Sequence, residues 1–149
     1  MRQALSVIGL ILLVAVSVGC TRGPADATEV VVYKSATCGC CKDWIRHLEA
    51  NGFAVKAHDV SDLAALKRQN GVSRRLASCH TARIGDYVIE GHVPAQDIKR
   101  LLAAKPNVKG LAVPGMPVGS PGMEVGARKD RYNVYTFDKA GRTTVYRSY

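Results

Sequence analysis

The stretch 29–51 reads EVVVYKSATCGCCKDWIRHLEAN, and it sets the architecture of the chain. Its first part is rich in β-branched residues, which is typical of a buried strand. After the first cysteines, four apolar residues recur at the i, i+3, i+4, i+7 spacing of one helix face: Cys41, Trp44, Ile45 and Leu48. A helix is therefore predicted from about Cys40 to Asn51, with Gly52 ending it. The order is strand, thiol loop and helix.

The next segments predict further elements of an α/β domain. Residues 53–60 are predicted to form a strand, and Ser61 is expected to cap a helix that ends at Gly71. Segment 81–90 contains two strands around a Gly-Asp pair, the signature of a tight hairpin. A third helix is predicted over about 94–105, because a proline suits the first helical turn and another follows the end.

The last part of the chain begins with a segment rich in glycine and proline. Eight of the seventeen residues in 110–126 are Gly or Pro, which predicts a rigid, irregular loop. A closing hairpin is predicted over 134–146. The element order βαβα-ββα is that of a thioredoxin-like fold, with an added C-terminal β-hairpin. We therefore predict one thioredoxin-like α/β domain over residues 28–149.

The N-terminus predicts export. A short positive start precedes residues 4–18, an uncharged apolar run that matches a secretory signal and is short for a membrane span. The sequence ADA at 25–27 has the small-x-small form of a signal-peptidase site, which predicts a signal peptide over residues 1–27. The alternative is VGC, which resembles a lipoprotein box and gives a signal of residues 1–19 with a lipid anchor on Cys20. An uncleaved anchor is a third option. We expect a periplasmic protein whose only membrane link is its signal or this lipid.

Composition narrows the class of protein. The chain has 149 residues, 47% of them hydrophobic and 22% charged, which is typical of one folded domain and excludes a disordered or polytopic membrane protein. The formal net charge is +9. The basic residues of the chain occur as scattered pairs with no aromatic residues between them. We interpret the charge as a solvated basic surface and expect no nucleic-acid partner for an exported protein.

The cysteines indicate a site. Cys38 and Cys41 keep a C-x-x-C frame, Cys40 interrupts it, and Cys79 precedes His80. Two structural disulfides are one interpretation, because exported proteins usually pair their cysteines. Three thiols within four residues are, however, poorly placed to link distant parts of a chain. A thiol at a helix N-terminus has a lowered pKa, and the thiolate is both nucleophile and metal ligand.

The clustering of the thiols favours a soft metal. A tetrahedral zinc usually takes its ligands from two spaced pairs, whereas thiolates readily bridge Cu(I) ions, so adjacent cysteines can share more than one ion. Met116 and Met123 lie in the Gly/Pro loop, where they either fill the core or add thioether ligands. His92 is a candidate ligand or proton carrier, or a satisfied loop histidine. His47 is expected to be solvated and His58 structural.

Four sequence motifs then carry a resemblance. They are VYKSATCGCC at 32–41, ASCHTA at 77–82, EGHVPA at 90–95 and GLAVPGMPVGSPGME at 110–124. Together and in this order they resemble the CxCC family of CopG-type proteins. The resemblance implies an exported, thioredoxin-like protein associated with copper resistance, of a kind long catalogued as a domain of unknown function. Ala36 stands where many relatives have proline.

The resemblance also implies a ligand set. Cys38, Cys40 and Cys41 match the cysteine motif as copper ligands, and the companions are Cys79, His80, Met116 and Met123. Three functions follow as hypotheses. The first is a periplasmic copper-binding protein of copper resistance, which sequesters Cu(I) or cycles its redox state, with copper ions and other periplasmic copper-handling proteins as partners. The second is a thiol–disulfide oxidoreductase that uses Cys38 and Cys41. The third is a zinc-stabilised interaction module.

Overall fold

The computed structural model describes residues 28–149, so the predicted signal peptide and Cys20 lie outside the described residues. The elements are β1 (Glu29–Lys34), α1 (Gly39–Ala50), β2 (Ala54–Asp59), α2 (Leu63–Gln69), β3 (His80–Ile84), β4 (Tyr87–Glu90), α3 (Ala95–Ala104), β5 (Gly110–Ala112), β6 (Asn133–Phe137) and β7 (Thr143–Ser148). A short 3-10 turn, Arg74–Leu76, lies between α2 and β3. Within this part of the chain, every helix is too short or too polar to cross a membrane.

The seven strands form one sheet in the order β2-β1-β3-β4-β5-β6-β7. β1 and β2 run parallel, and β3 is antiparallel to both β1 and β4. The α/β prediction is confirmed, and the order of these four strands and the three helices is compatible with the predicted thioredoxin-like fold. The sheet then continues through β5 into the added β6-β7 hairpin.

The core forms where the apolar face of α1 meets the sheet. Trp44 and Leu48 are fully buried, as the helical spacing predicts, and so are Val30 and Val32 of β1. Each such side chain contributes about 1.5–3 kcal/mol through burial. The indole N–H of Trp44 donates to the carbonyl of Val93 at 2.9 Å, which joins α1 to the residues before α3.

Two predictions about polar residues at helix ends are wrong. Asp62, not Ser61, caps α2, because its carboxylate accepts the Ala65 N–H at 2.8 Å. His47 is half-buried and has a structural role. Its Nε2 accepts the Ala95 N–H at 3.1 Å, one of the amides at the start of α3 that lack a partner within the helix.

The prediction of an irregular loop is wrong for the first three residues of 110–126. They form β5, which is fully buried between β4 and β6. Gly110 is required there, since a Cβ would lie 1.7 Å from the Val88 carbonyl oxygen. A three-residue strand that is buried on both faces has no alternating pattern, so its sequence resembles the loop that follows.

A buried carboxylate holds the C-terminal strand against α3. Asp97 is fully buried, and its Oδ2 accepts the Tyr149 hydroxyl at 2.7 Å. Arg100 and Arg147 lie 3.5 and 3.7 Å from its Oδ1. The Tyr149 ring stacks on Tyr132 with centroids 4.9 Å apart. These contacts place the end of the chain.

We expect Asp97→Ala to lower the free energy of unfolding by about 1–3 kcal/mol, because the Tyr149 hydroxyl and two guanidinium groups lose their acceptor. Tyr149→Phe, which removes only the hydroxyl, should cost less. Urea unfolding followed by circular dichroism measures both. A wild-type midpoint for Asp97→Ala would contradict this role for the carboxylate.

Candidate metal centre

Strand pairing brings the distant cysteine to the thiol loop. Lys34, the last residue of β1, pairs with His80, the first residue of β3. Cys79 directly precedes β3, so this register places it beside the loop that follows β1. Cys38 is the N-cap residue of α1. The sulfur atoms of all four described cysteines consequently lie within 4.8 Å of one another.

Two of the four sulfurs are joined. Cys38 and Cys41 form a disulfide, as their C-x-x-C frame predicts, and it is the single disulfide of residues 28–149. The interpretation as two structural disulfides is therefore wrong for this part of the chain. The Cys79 sulfur lies 3.5 Å from that of Cys41 and 3.8 Å from that of Cys40. This disulfide must be reduced before all four sulfurs can bind a metal.

Two imidazoles extend the cluster on the far side of Cys79. Its sulfur lies 3.2 Å from His80 Nδ1 and 3.0 Å from His92 Nε2. The Nδ1 of His92 lies 2.8 Å from the Pro121 carbonyl oxygen, which can only accept, so Nδ1 carries the proton and Nε2 presents a lone pair to Cys79. Cys79 thus belongs to two groups of potential ligands, one of four thiols and one of a thiol with two imidazoles.

Both imidazoles are buried in apolar surroundings. His80 packs on Trp44 with ring centroids 4.3 Å apart and meets His92 edge-on at 5.0 Å. Burial holds the pKa of His80 well below its usual value, and the charges of His92 and Lys67 lower it further. Burial also lowers the pKa of His92. Both rings are neutral at pH 7, the form that binds metals.

The Nε2 of His80 is also buried, and it has no hydrogen-bond partner among residues 28–149. Buried polar atoms without partners are rare in native structures and call for an explanation, of which an absent ion is one.

The Cys79 thiol retains its proton. Burial, followed by the neighbouring charge of Cys40, raises the pKa of Cys79 to about 12. The lowered pKa expected at a helix N-terminus does not apply here, because Cys79 lies before a strand. A thiol must lose its proton to bind a metal, so a cation at this site would release one from Cys79.

The loop 113–126 contacts the chain beside the thiols at two points. Gly122 packs on the first turn of α1, where a Cβ would lie 2.6 Å from the Trp44 nitrogen and 2.9 Å from the Cys40 oxygen. At its other end, the Gly115 N–H donates to the Ala77 carbonyl at 3.1 Å. The Gly115 carbonyl also accepts the hydroxyl of Ser78, the neighbour of Cys79.

The two methionines of this loop differ in exposure. Met116 follows Gly115 and is 52% exposed, whereas Met123 follows Gly122 and is half-buried. The residue before each methionine therefore lies beside a cysteine-bearing segment, Gly115 at Ser78 and Gly122 at Cys40. His58 lies outside the site and stacks on Tyr33, with ring centroids 5.7 Å apart.

Sequence reasoning missed a buried ion pair behind the thiols. Glu90, the last residue of β4, is fully buried, and its Oε1 lies 2.5 Å from Lys67 Nζ. A carboxylate that ends an otherwise apolar strand, YVIE, two residues before His92, is the signal that could have identified it.

The chain is similar to known proteins in sequence and in structure. A family model described as a protein of unknown function, DUF411, matches residues 76–123. Two solved structures of a copper resistance protein CopG, forms 2 and 1, are similar to this chain with TM-scores of 0.80 and 0.79. Among curated proteins there is no significant match.

The likeness to the CopG structures extends over almost the whole of that protein. In each case 48% of the aligned residues are identical, and the alignment covers 83% of this chain. It covers 99% of the form 2 chain and 98% of the form 1 chain. At this identity and coverage, the chain belongs to the CopG family.

Proposed function

We propose that this chain is a periplasmic copper-binding protein of copper resistance that binds Cu(I) through Cys38, Cys40, Cys41 and Cys79. The observation that carries the proposal is the position of the Cys79 sulfur, in contact range of both the other sulfurs and two imidazoles. The name of the similar solved protein, a copper resistance protein, supports the choice of metal.

The donor set fits more than one Cu(I) ion. Thiolates are soft ligands that bridge Cu(I), and a thiolate shared between two ligand groups is placed to do so. A structural zinc, in contrast, is closed by four ligands around one ion. Here three other sulfurs and two imidazole nitrogens lie around the Cys79 sulfur, which gives more donor atoms than one tetrahedron uses. A zinc-stabilised module is therefore less well supported.

Redox cycling of copper is part of the proposal. Copper, when bound, supplies a one-electron couple. Thiolates favour Cu(I), and imidazole suits copper more generally, so a site with both donor types can serve two oxidation states. The chain contributes two neutral imidazoles, His80 and His92, which are both fully buried. His80 packs on Trp44, and His92 meets His80 edge-on.

Met116 and Met123 are proposed as companion ligands. A thioether binds Cu(I) and cannot be lost to disulfide formation. The backbone contacts of Gly115 and Gly122 tie their loop to both sides of the thiols, which supports this assignment.

Location and partners follow from the chemistry and the N-terminus. We place the protein in the periplasm, with either the 1–27 signal removed or a lipid on Cys20. The copper would arrive from and leave to other periplasmic copper-handling proteins. No nucleic-acid partner is proposed.

One observation favours a second candidate, a thiol–disulfide oxidoreductase. The Cys38–Cys41 disulfide lies at the N-terminus of α1, where an external dithiol could reduce it and become oxidised to a disulfide in turn. This activity needs neither Cys79 nor the imidazoles. If this candidate is correct, variants of Cys38 should lose disulfide exchange without any change in copper binding.

The reduced protein is expected to bind more than one Cu(I) per chain, and Cys79→Ser should lower that number by at least one, because the bridging sulfur is lost. Anaerobic competition against a Cu(I) chelator measures stoichiometry and affinity. His58→Ala, a change in a histidine outside the site, serves as the control. A stoichiometry of one or less that Cys40→Ser leaves unaffected would overturn the bridged site.

Met116→Leu and Met123→Leu should each weaken Cu(I) binding while leaving the apo-protein folded. These substitutions conserve volume and should cost less than about 1.5 kcal/mol of stability. We expect the larger effect at Met116, which the flanking Pro114 and Pro117 restrict most. Apo stability and Cu(I) affinity are measured on both variants. Unchanged affinity in the double variant would remove the methionines from the site.

Cu(I) affinity should rise with pH, because each thiol that binds must first release its proton. Cys79 holds its proton up to a pKa of about 12, so its contribution persists across the accessible pH range. Each proton released makes the apparent affinity about tenfold stronger per pH unit. Chelator competition at several pH values should give a smaller slope for Cys79→Ser. An unchanged slope would show that Cys79 does not bind.

A further inference from the structure

The carboxylate of Glu90 accepts hydrogen bonds from the residues on both sides of the dipeptide Cys79-His80. Its Oε1 accepts the backbone N–H of Ser78 at 2.6 Å, and its Oε2 accepts the Thr81 hydroxyl at 2.7 Å. These are the residues immediately before and after the dipeptide. One fully buried side chain therefore fixes where the Cys79 sulfur and the His80 ring begin.

Lys67 completes this network from α2. Its Nζ lies 2.5 Å from Glu90 Oε1 and 3.0 Å from the Thr81 hydroxyl, and its side chain is 10% exposed. Replacing a buried ion pair by apolar residues is often neutral or stabilising, so stability alone does not explain the pair. Every bond of this carboxylate goes either to the residues flanking Cys79-His80 or to the cation that balances it.

The same residue leads directly to His92. Gly91 follows Glu90 with a φ of +71°, and its N–H donates to the His80 carbonyl at 3.1 Å. A Cβ on Gly91 would lie 2.5 Å from the Ser78 Cβ. Because Gly91 packs this closely on Ser78, the next residue, His92, lies beside Cys79, and its Nε2 is 3.0 Å from the Cys79 sulfur.

We propose that Glu90, with its charge balanced by Lys67, is the positioning residue of the metal centre. Its carboxylate orients Cys79 and His80 so that one sulfur faces both Cys41 and His92. A shared ligand has to satisfy two neighbours at once, so its position tolerates little error. Glu90 itself does not touch the metal. The inference rests on the proposed copper site, but its effect on Cys79 exists in the metal-free protein.

The first test uses the apo-protein with its Cys38–Cys41 disulfide intact. The two free thiols of residues 28–149 are alkylated with iodoacetamide, and the rates at Cys79 and Cys40 are compared by mass spectrometry. In Glu90→Ala we expect Cys79 to react about tenfold faster relative to Cys40, the effect of losing one charge-assisted hydrogen bond. Hydrogen exchange at the Ser78 amide should accelerate with it.

Asp97→Ala provides the matched control, because Asp97 is also a fully buried carboxylate but contacts tyrosine and arginine away from the thiols. It should lower stability without changing the ratio of the two alkylation rates. If Glu90→Ala does not fold, Thr81→Val removes one of the carboxylate's hydrogen bonds and should raise the ratio by a smaller factor. A wild-type ratio in the folded Glu90 or Thr81 variant would overturn the proposal.

The second test uses Cu(I)-loaded protein. Glu90→Ala should weaken Cu(I) binding about tenfold or more and alter the copper–thiolate absorption. The double variant Glu90→Gln/Lys67→Met keeps an acceptor for Ser78 and removes both charges, so it should restore both readouts. Failure of this rescue would make the charge, not the positioning, responsible. If the wild-type protein binds no copper, the proposed function fails, while the alkylation ratio still decides the role of Glu90.

Discussion

The pairing of Lys34 with His80 is the constraint on which the site depends. It sets the antiparallel register of β1 and β3, and so places Cys79 beside a loop that lies about forty residues earlier in the chain. If this register slipped by one residue, the side chains of Cys79 and His80 would each move to the other face of the sheet. The three clustered cysteines would then have no fourth sulfur, and the two imidazoles would lose the atom that links them to the thiols.

The rest of the molecule supports that arrangement from several directions. Burial of Trp44 holds α1 on the sheet and gives His80 an apolar surface to pack against. The segment after α3 also supports the site. Its strand β5 pairs with β4 and leads into the loop whose Pro121 carbonyl orients His92. The result is a donor set in which two neutral imidazoles lie beside the protonated Cys79 thiol.

Local signals predicted most of the fold and the core of the site. The apolar spacing of α1 and the Gly85-Asp86 turn each act within a few residues, so the sequence alone indicates them. The sequence also indicates Cys38, Cys40 and Cys41 as a group, because they lie within four residues of one another. Contacts between distant residues could not be found this way. The His47 cap on α3 joins residues 48 apart, and the Lys67–Glu90 pair joins residues 23 apart. The strand β5 was missed because three buried residues have no period to detect.

In the proposed function, Cys79 bridges copper ions between the thiols and the imidazoles. X-ray absorption at the copper edge of anaerobically loaded protein tests it most directly. We expect sulfur and imidazole neighbours together with a copper–copper contribution, and we expect Cys79→Ser to remove that contribution. A spectrum with a single sulfur shell and no copper neighbour, unchanged in Cys79→Ser, would contradict it.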